Sequence, residues 1–190
     1  MEIIVTKYDQ LYKAFIQWDI EFGNLERRSV SAMLAFYDGF KRKLGFAASD
    51  DRIALHRIET NISGVTNHTE VANFTDALVE TGNGSCQFGM TVTVKGNNGE
   101  SAPRAERFIQ FYLDIRFILR QDECEFWSGY GESQRFRSLV NENDSGLSLR
   151  GKDDMFDYFI GEMENVLRRK PWDQPETASI GFDLSSRNKR

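Results

Sequence analysis

The sequence predicts an α+β domain in which two N-terminal helices and one C-terminal helix pack on an antiparallel meander of four to six strands. Three observations predict it. In residues 107–120 the positions Ile109, Phe111, Leu113, Ile115, Phe117 and Leu119 are all apolar, with Gln110, Asp114, Arg116 and Arg120 on the other side; a repeat of two places one side of a strand in a core. Residues 86–95 repeat the pattern more cleanly, with Cys86, Phe88, Met90, Val92 and Val94 opposed to Gln87, Thr91, Thr93 and Lys95. On either side of this strand-rich middle the apolar spacing changes to three and four, the period of amphipathic helices.

Residues 1–6 suit a short edge strand, and Thr6 with Asp9 forms the Ser/Thr-x-x-acid signature of a helix start. Tyr8, Leu11, Tyr12, Phe15, Trp18 and Phe22 then recur at helical spacing as far as Gly23-Asn24, a stop signal. A second helix, from about residue 26 to 44, carries Val30, Met33, Leu34, Tyr37, Phe40 and Leu44 as its stripe. Lys41, Arg42 and Lys43 suit the negative end of its dipole, and Gly45 closes it. Their short connection makes the two helices an expected antiparallel pair.

Strand character returns at residues 52–59. In the polar stretch 60–85, Val71, Phe74 and Leu78 suit one short helical face, but Gly82-Asn83-Gly84 suits a hairpin turn into 86–95, and the strand reading is preferred there. The segment 107–120 also satisfies a helical rule at Phe108, Phe111, Tyr112, Ile115, Ile118 and Leu119. That alternative leaves Ile109, Leu113 and Phe117 on the wrong face, and the aromatic and β-branched residues favour a pleated surface. The loop 96–103 is too short for a crossover, so 86–95 and 107–120 are expected to pair antiparallel.

Residues 122–130 and 135–140 continue the meander, and 141–151 read as a loop. The last helix has Met155, Phe156, Phe159, Ile160, Met163, Val166 and Leu167 as its stripe. Asp153, Asp154 and Asp157 occupy its first turns, Arg168, Arg169 and Lys170 its last, and Pro171 stops it. Residues 1–170 are thus expected to form a single domain and 171–190 a mobile tail, whose Trp172, Ile180, Phe182 and Leu184 also suit docking as an extra strand or on a partner. In coarse element order this resembles the cone-shaped cystatin or ketosteroid-isomerase folds, where an antiparallel sheet curls round a long helix; such likeness speaks to fold alone.

A net charge of −5 argues against nucleic acid, whose phosphates want a basic face, and favours a basic protein partner. Residues 51–100 hold six acids and three bases, hence −3 of that charge. The chain opens without a basic, apolar leader and holds no run long enough to span a bilayer, so a cytoplasmic protein without a membrane partner is expected. Two cysteines, Cys86 and Cys124, make no disulfide framework and read as small buried thiols. Asn61, Asn67, Asn73, Asn83 and Asn143 each begin an Asn-x-Ser/Thr triplet, read here as turn composition.

Only two histidines exist, His56 and His68, and no nucleotide loop, Cys-x-x-Cys or His-Glu-x-x-His motif occurs, so neither metal nor cofactor is expected. Asp122, Glu123 and Glu125 are explained by a charged sheet edge without a cation. Tyr112, Asp114 and Arg116 share the outer face of the long strand; it is either wet, with Asp114 and Arg116 as cross-strand partners, or curved into a cleft. Two functions follow. The first is a non-catalytic protein-binding module that masks a more basic partner, in the manner of an immunity protein or secretion chaperone, through Tyr112, Asp114, Arg116, Trp127 and Trp172. The alternative is a small-molecule-binding or lyase/isomerase domain with a pocket in a curved sheet, using Asp114 and His56 as acid and base and Tyr112 beside them.

Overall fold

The computed structural model describes residues 6–60, 66–81, 84–95, 108–128, 134–143, 146–168 and 181–183. The elements run α1 (Lys7–Lys43), β1 (Ile53–Thr60), β2 (Thr66–Val71), α2 (Phe74–Ala77), β3 (Val79–Thr81), β4 (Ser85–Lys95), β5 (Phe108–Leu119), β6 (Glu123–Ser128), β7 (Phe136–Asn143), β8 (Gly146–Arg150), α3 (Asp153–Arg168) and β9 (Gly181–Asp183). The class is α+β with an antiparallel sheet, but the described residues give that sheet nine strands rather than four to six. Its order is β2-β1-β4-β5-β6-β7-β8, with β3 also beside β4 and β9 beside β5.

The two best-patterned strands form the centre. β4 and β5 pair antiparallel over ten positions, from Cys86 opposite Phe117 to Lys95 opposite Phe108. The strands missed in the sequence lack a legible alternation. No side chain of β2 is buried, so it shows no apolar period; β8 is five residues long and follows an Asn- and Asp-rich stretch that reads as a loop. The favoured hairpin into β4 occurs as the β3–β4 pair, and the helical alternative survives only as the four residues of α2, with Val71 in β2 and Leu78 extended. Asn73 caps α2, its Oδ1 accepting from the Asp76 amide at 2.9 Å.

The two expected N-terminal helices are one. A capping box starts α1, with the Asp9 amide donating to Thr6 Oγ1 and the Thr6 amide to Asp9 Oδ2. Gly23 does not stop it: the helix runs straight through, and Gly23 is not among the positive-φ glycines that make a left-handed glycine cap. The helix ends at Gly45, φ +73°, as its spacing predicted. Lys41 then does more than oppose the dipole: its ammonium is buried and donates to the Ala48 and Asp50 carbonyls at 2.7 and 3.0 Å.

One face of the sheet carries the C-terminal half of α1 and all of α3. Phe36 sits at the centre of that core, its ring 5.2–5.6 Å from those of Phe88, Phe126 and Phe156. Cys86 and Cys124 lie in the same core as free, buried thiols, on strands separated by β5.

The opposite face is partly roofed by the sheet itself. β1 pairs with β4 only from Ile53 to His56; beyond that it runs on with β2 alone, and β3 takes the vacated edge of β4 at Ser85–Gln87. The β1–β2 hairpin therefore swings across the face. Its His68 ring reaches 5.4 Å from Tyr112 on β5, although β2 and β5 are three strand spacings apart, roughly 14 Å in a flat sheet. β9 lies beside β5 with Phe111 opposite Phe182, the extra strand the tail was able to supply. Among the described residues no helix is long and apolar enough to cross a membrane.

Candidate functional site

α1 changes environment at about residue 28. From Ser29 onward, Ser29, Ala32, Met33, Phe36 and Phe40 are buried; from Thr6 to Arg27 no side chain is. The polarity of the sequence does not change at this point. Tyr8, Leu11, Phe15, Trp18, Phe22 and Leu25 follow one another at alternating steps of three and four, and the same steps lead on to Ser29, Ala32, Phe36 and Gly39. One face of one helix is thus covered in its second half and bare in its first. Tyr8 is 74% exposed and Trp18 56%. Trp18 stacks on Phe15 at 6.3 Å and on Phe22 at 5.2 Å, so the rings form a continuous apolar ridge.

Twenty-one helical residues precede Arg28, an arm about 30 Å long at 1.5 Å per residue. Its root is fixed by Arg28, which donates through Nε to Glu142 Oε2 at 3.1 Å and through Nη2 to the Gln121 carbonyl at 2.8 Å. An open polar cleft of about 710 Å³, lined by Arg27, Arg28, Gln121, Asp122 and Glu142 among others, marks where arm meets sheet.

A second candidate lies under the β1–β2 hairpin. His56, Gly89 and Asp114 form one cross-strand row over β1, β4 and β5. The hairpin approaches so closely that a Cβ on Gly89 would lie 3.0 Å from Ile58 Cγ1 and 3.1 Å from His56 Cβ. Glycine is what lets the row close. His56 Nε2 is 2.5 Å from Thr91 Oγ1, and its ring is 6.0 Å from Tyr112. Asp114 is only 4% exposed; Oδ2 accepts from Gln87 Nε2 at 3.1 Å, and Oδ1 has no hydrogen-bond partner among the described residues.

Burial sets the protonation of this row. It raises Asp114 from 3.8 to about 6, against the opposing pull of Arg116 and the Gln87 hydrogen bond. The same desolvation lowers His56, with Glu70 opposing and His68 assisting, and it also lowers His68. Burial thus favours the neutral form of both imidazoles and of the Asp114 carboxyl, which changes charge near pH 6.

The residues predicted for the two functions fall on this one face. His56 and Tyr112 approach ring to ring at 6.0 Å, while Asp114 lies in the same row with Gly89 between it and His56. Arg116 is in register with Gln87 on one side and Trp127 on the other, so Tyr112, Asp114, Arg116 and Trp127 share the face. Of the two readings of this face, wet or recessed, the wet one fails at Gln87, Thr91 and Asp114, which are buried. Trp127 is half-buried with the Arg135 guanidinium 4.8 Å over its ring. Glu125 is likewise no solvated edge charge; it is 8% exposed and bridges Arg135 at 3.1 Å and Arg137 at 3.6 Å. Trp172 lies outside the described residues.

Sequence reasoning found the stripe of the arm but took it for a buried one. The unbroken three-four spacing across Gly23 is the signal for one continuous helix rather than two; it carries no signal for what covers the stripe. Among the described residues no group of three or more His, Cys, Asp or Glu is placed to hold a metal ion. Compared with family models, curated proteins and solved structures, the chain matches none.

Proposed function

We propose that this chain is a non-catalytic protein-binding module whose docking element is the N-terminal half of α1. The observation that carries the reading is the bare apolar ridge. Exposed apolar patches of this extent mark interaction surfaces, and an amphipathic helix offering anchors at three-four spacing is a recurrent way for one protein to seat on another. Aromatic anchors such as Trp18 and Phe15 dominate such interfaces. The acidity of the chain adds a preference for a basic partner, steering the encounter more than setting its strength.

The test is capture of binding proteins by the tagged full chain and by a Phe15→Glu/Trp18→Glu variant, each eluted over a salt gradient. A basic protein retained in stoichiometric amount by the wild type should be reduced at least ~30-fold with the variant, the loss of ~2 kcal/mol or more expected for hot-spot anchors. Equal retention by both would remove the arm from the function.

One observation favours a second reading, a small-molecule site at the His56–Gly89–Asp114 row. A carboxyl oxygen buried without a partner is costly, and a ligand bearing an N–H or O–H donor would satisfy Asp114 Oδ1. A thermal-shift screen of polar small molecules should then find a stabiliser whose effect disappears in Asp114→Asn. A screen without stabilisers, or one whose hits survive the substitution, rejects this reading.

A further inference from the structure

We propose that the arm of α1 is covered by the arm of a second copy, in an antiparallel helix pair that is the resting form of the protein and that a basic partner displaces. This rests on the reading of the arm as a docking element and names its first occupant. A strict three-four seam at Tyr8, Leu11, Phe15, Trp18, Phe22 and Leu25 is the pattern by which one helix packs along another. Burying it completely would remove at most roughly 650 Å² per copy, from four aromatic side chains of about 200 Å² each that are 37–74% exposed and from Leu11 and Leu25. Two copies together reach about 1,300 Å², the lower end of the range for standard stable interfaces.

A lipid surface fits the arm poorly. Helices that lie on membranes carry Lys and Arg on the polar face, whereas residues 7–25 hold Lys7 and Lys13 against Asp9, Asp19 and Glu21.

The orientation follows from the covered half of the helix. The seam that is bare up to Leu25 is buried against the core from Ser29 onward. A parallel mate would have to continue its own helix through the space that this core occupies. A parallel pair would also set Glu21 of each copy against Glu26 of the other, two like-charge contacts. An antiparallel mate runs away from the core. Tyr8 then faces the mate's Leu25, Leu11 its Phe22 and Phe15 its Trp18, and the two-fold axis repeats each layer, so one register uses the whole seam.

The test is sedimentation of the full chain from about 1 to 100 µM, where micromolar self-association is visible. The wild type should approach twice the monomer mass of 21.9 kDa, and Trp18→Glu should weaken association at least 30-fold while its far-UV spectrum and core unfolding stay unchanged. A wild type monomeric at the highest concentration overturns the proposal, and so does a Trp18→Glu chain that still dimerises.

Orientation has its own readout under mild oxidation. Tyr8→Cys and Leu25→Cys chains, mixed, should form a mixed disulfide; a Tyr8→Cys homodisulfide, or no cross-link at all, refutes the antiparallel pair. The outcomes separate from those of the capture experiment. A monomer whose partner is still lost in the arm variant defeats the dimer and leaves the docking reading. A dimer whose partner ignores the variant does the reverse.

Discussion

At the scale of single residues, Asp114 is where stability and chemistry oppose each other. Its folded-state pKa is held near 6 by burial, against 3.8 when free. Between those values the folded chain keeps a proton that the unfolded chain has lost. Stability therefore falls as pH rises from about 4 to 6 and stays lowered above that range, by roughly 3 kcal/mol for about two pKa units. Asp114→Asn removes the charge while keeping the shape. It should be more stable than the wild type at pH 7.5 by up to that amount, with the difference vanishing near pH 4, as urea midpoints at the two pH values would reveal. His56 works in the other direction: its pKa is lowered by burial, so its contribution is lost as pH falls through the acid range. Comparing variant with wild type at each pH isolates the carboxyl. Equal midpoints at pH 7.5 would mean that Asp114 is paired in a way its surroundings here do not account for.

At the scale of elements, α1 carries the main consequence. An unsupported helix of some twenty residues is marginal in water, so the arm's persistence depends on its own propensity and on what covers it. Gly23 is the weak point. It is mid-helix, with nothing within 4 Å of where a Cβ would stand, so Gly23→Ala adds no clash and should stabilise the arm by ~0.5–1 kcal/mol. Far-UV ellipticity on heating should show the gain as a later loss of helix, and an unchanged or lower melting profile would contradict the continuous helix. The contrast with Gly89, where the hairpin would strike a Cβ, shows two glycines of similar appearance in sequence doing unrelated work. β1 is the other decisive element. It leaves β4 after His56 and runs on with β2, whose His68 reaches Tyr112 over the face on which Gln87, Thr91 and Asp114 are buried.

At the scale of the whole molecule, the chain is a domain with one side closed and one projection open. Helix α3 and the second half of α1 seal one face of the sheet around Phe36, and the β1–β2 hairpin covers part of the other. Lys43 and Asp157 tie the two helices together at 2.8 Å, while Arg28 and Glu142 tie the arm's root to β7. What remains uncovered is the ridge from Tyr8 to Leu25. On the proposed reading the closed body supplies the stability and the arm serves association. For that reason the arm substitutions proposed above are expected to change assembly and capture while leaving core unfolding in place.

Much was legible in the sequence because it is encoded by local period. The α+β class, the antiparallel pairing of 86–95 with 107–120, the capping box at Thr6 and the last helix from Asp153 to Arg168 depend on neighbours within a few residues, and all four appear as read; the expected end of that helix, at 169–171, lies outside the described residues. A period states which face of an element is apolar. It cannot state what covers that face. Only the tertiary structure decided that the stripe from Tyr8 to Phe22 is bare rather than paired with a second helix, that the polar row at Asp114 is roofed rather than wet, and that polar β2 belongs to the sheet at all. Each of these depends on contacts between segments distant in the chain, and such contacts leave no repeat in the residues that make them.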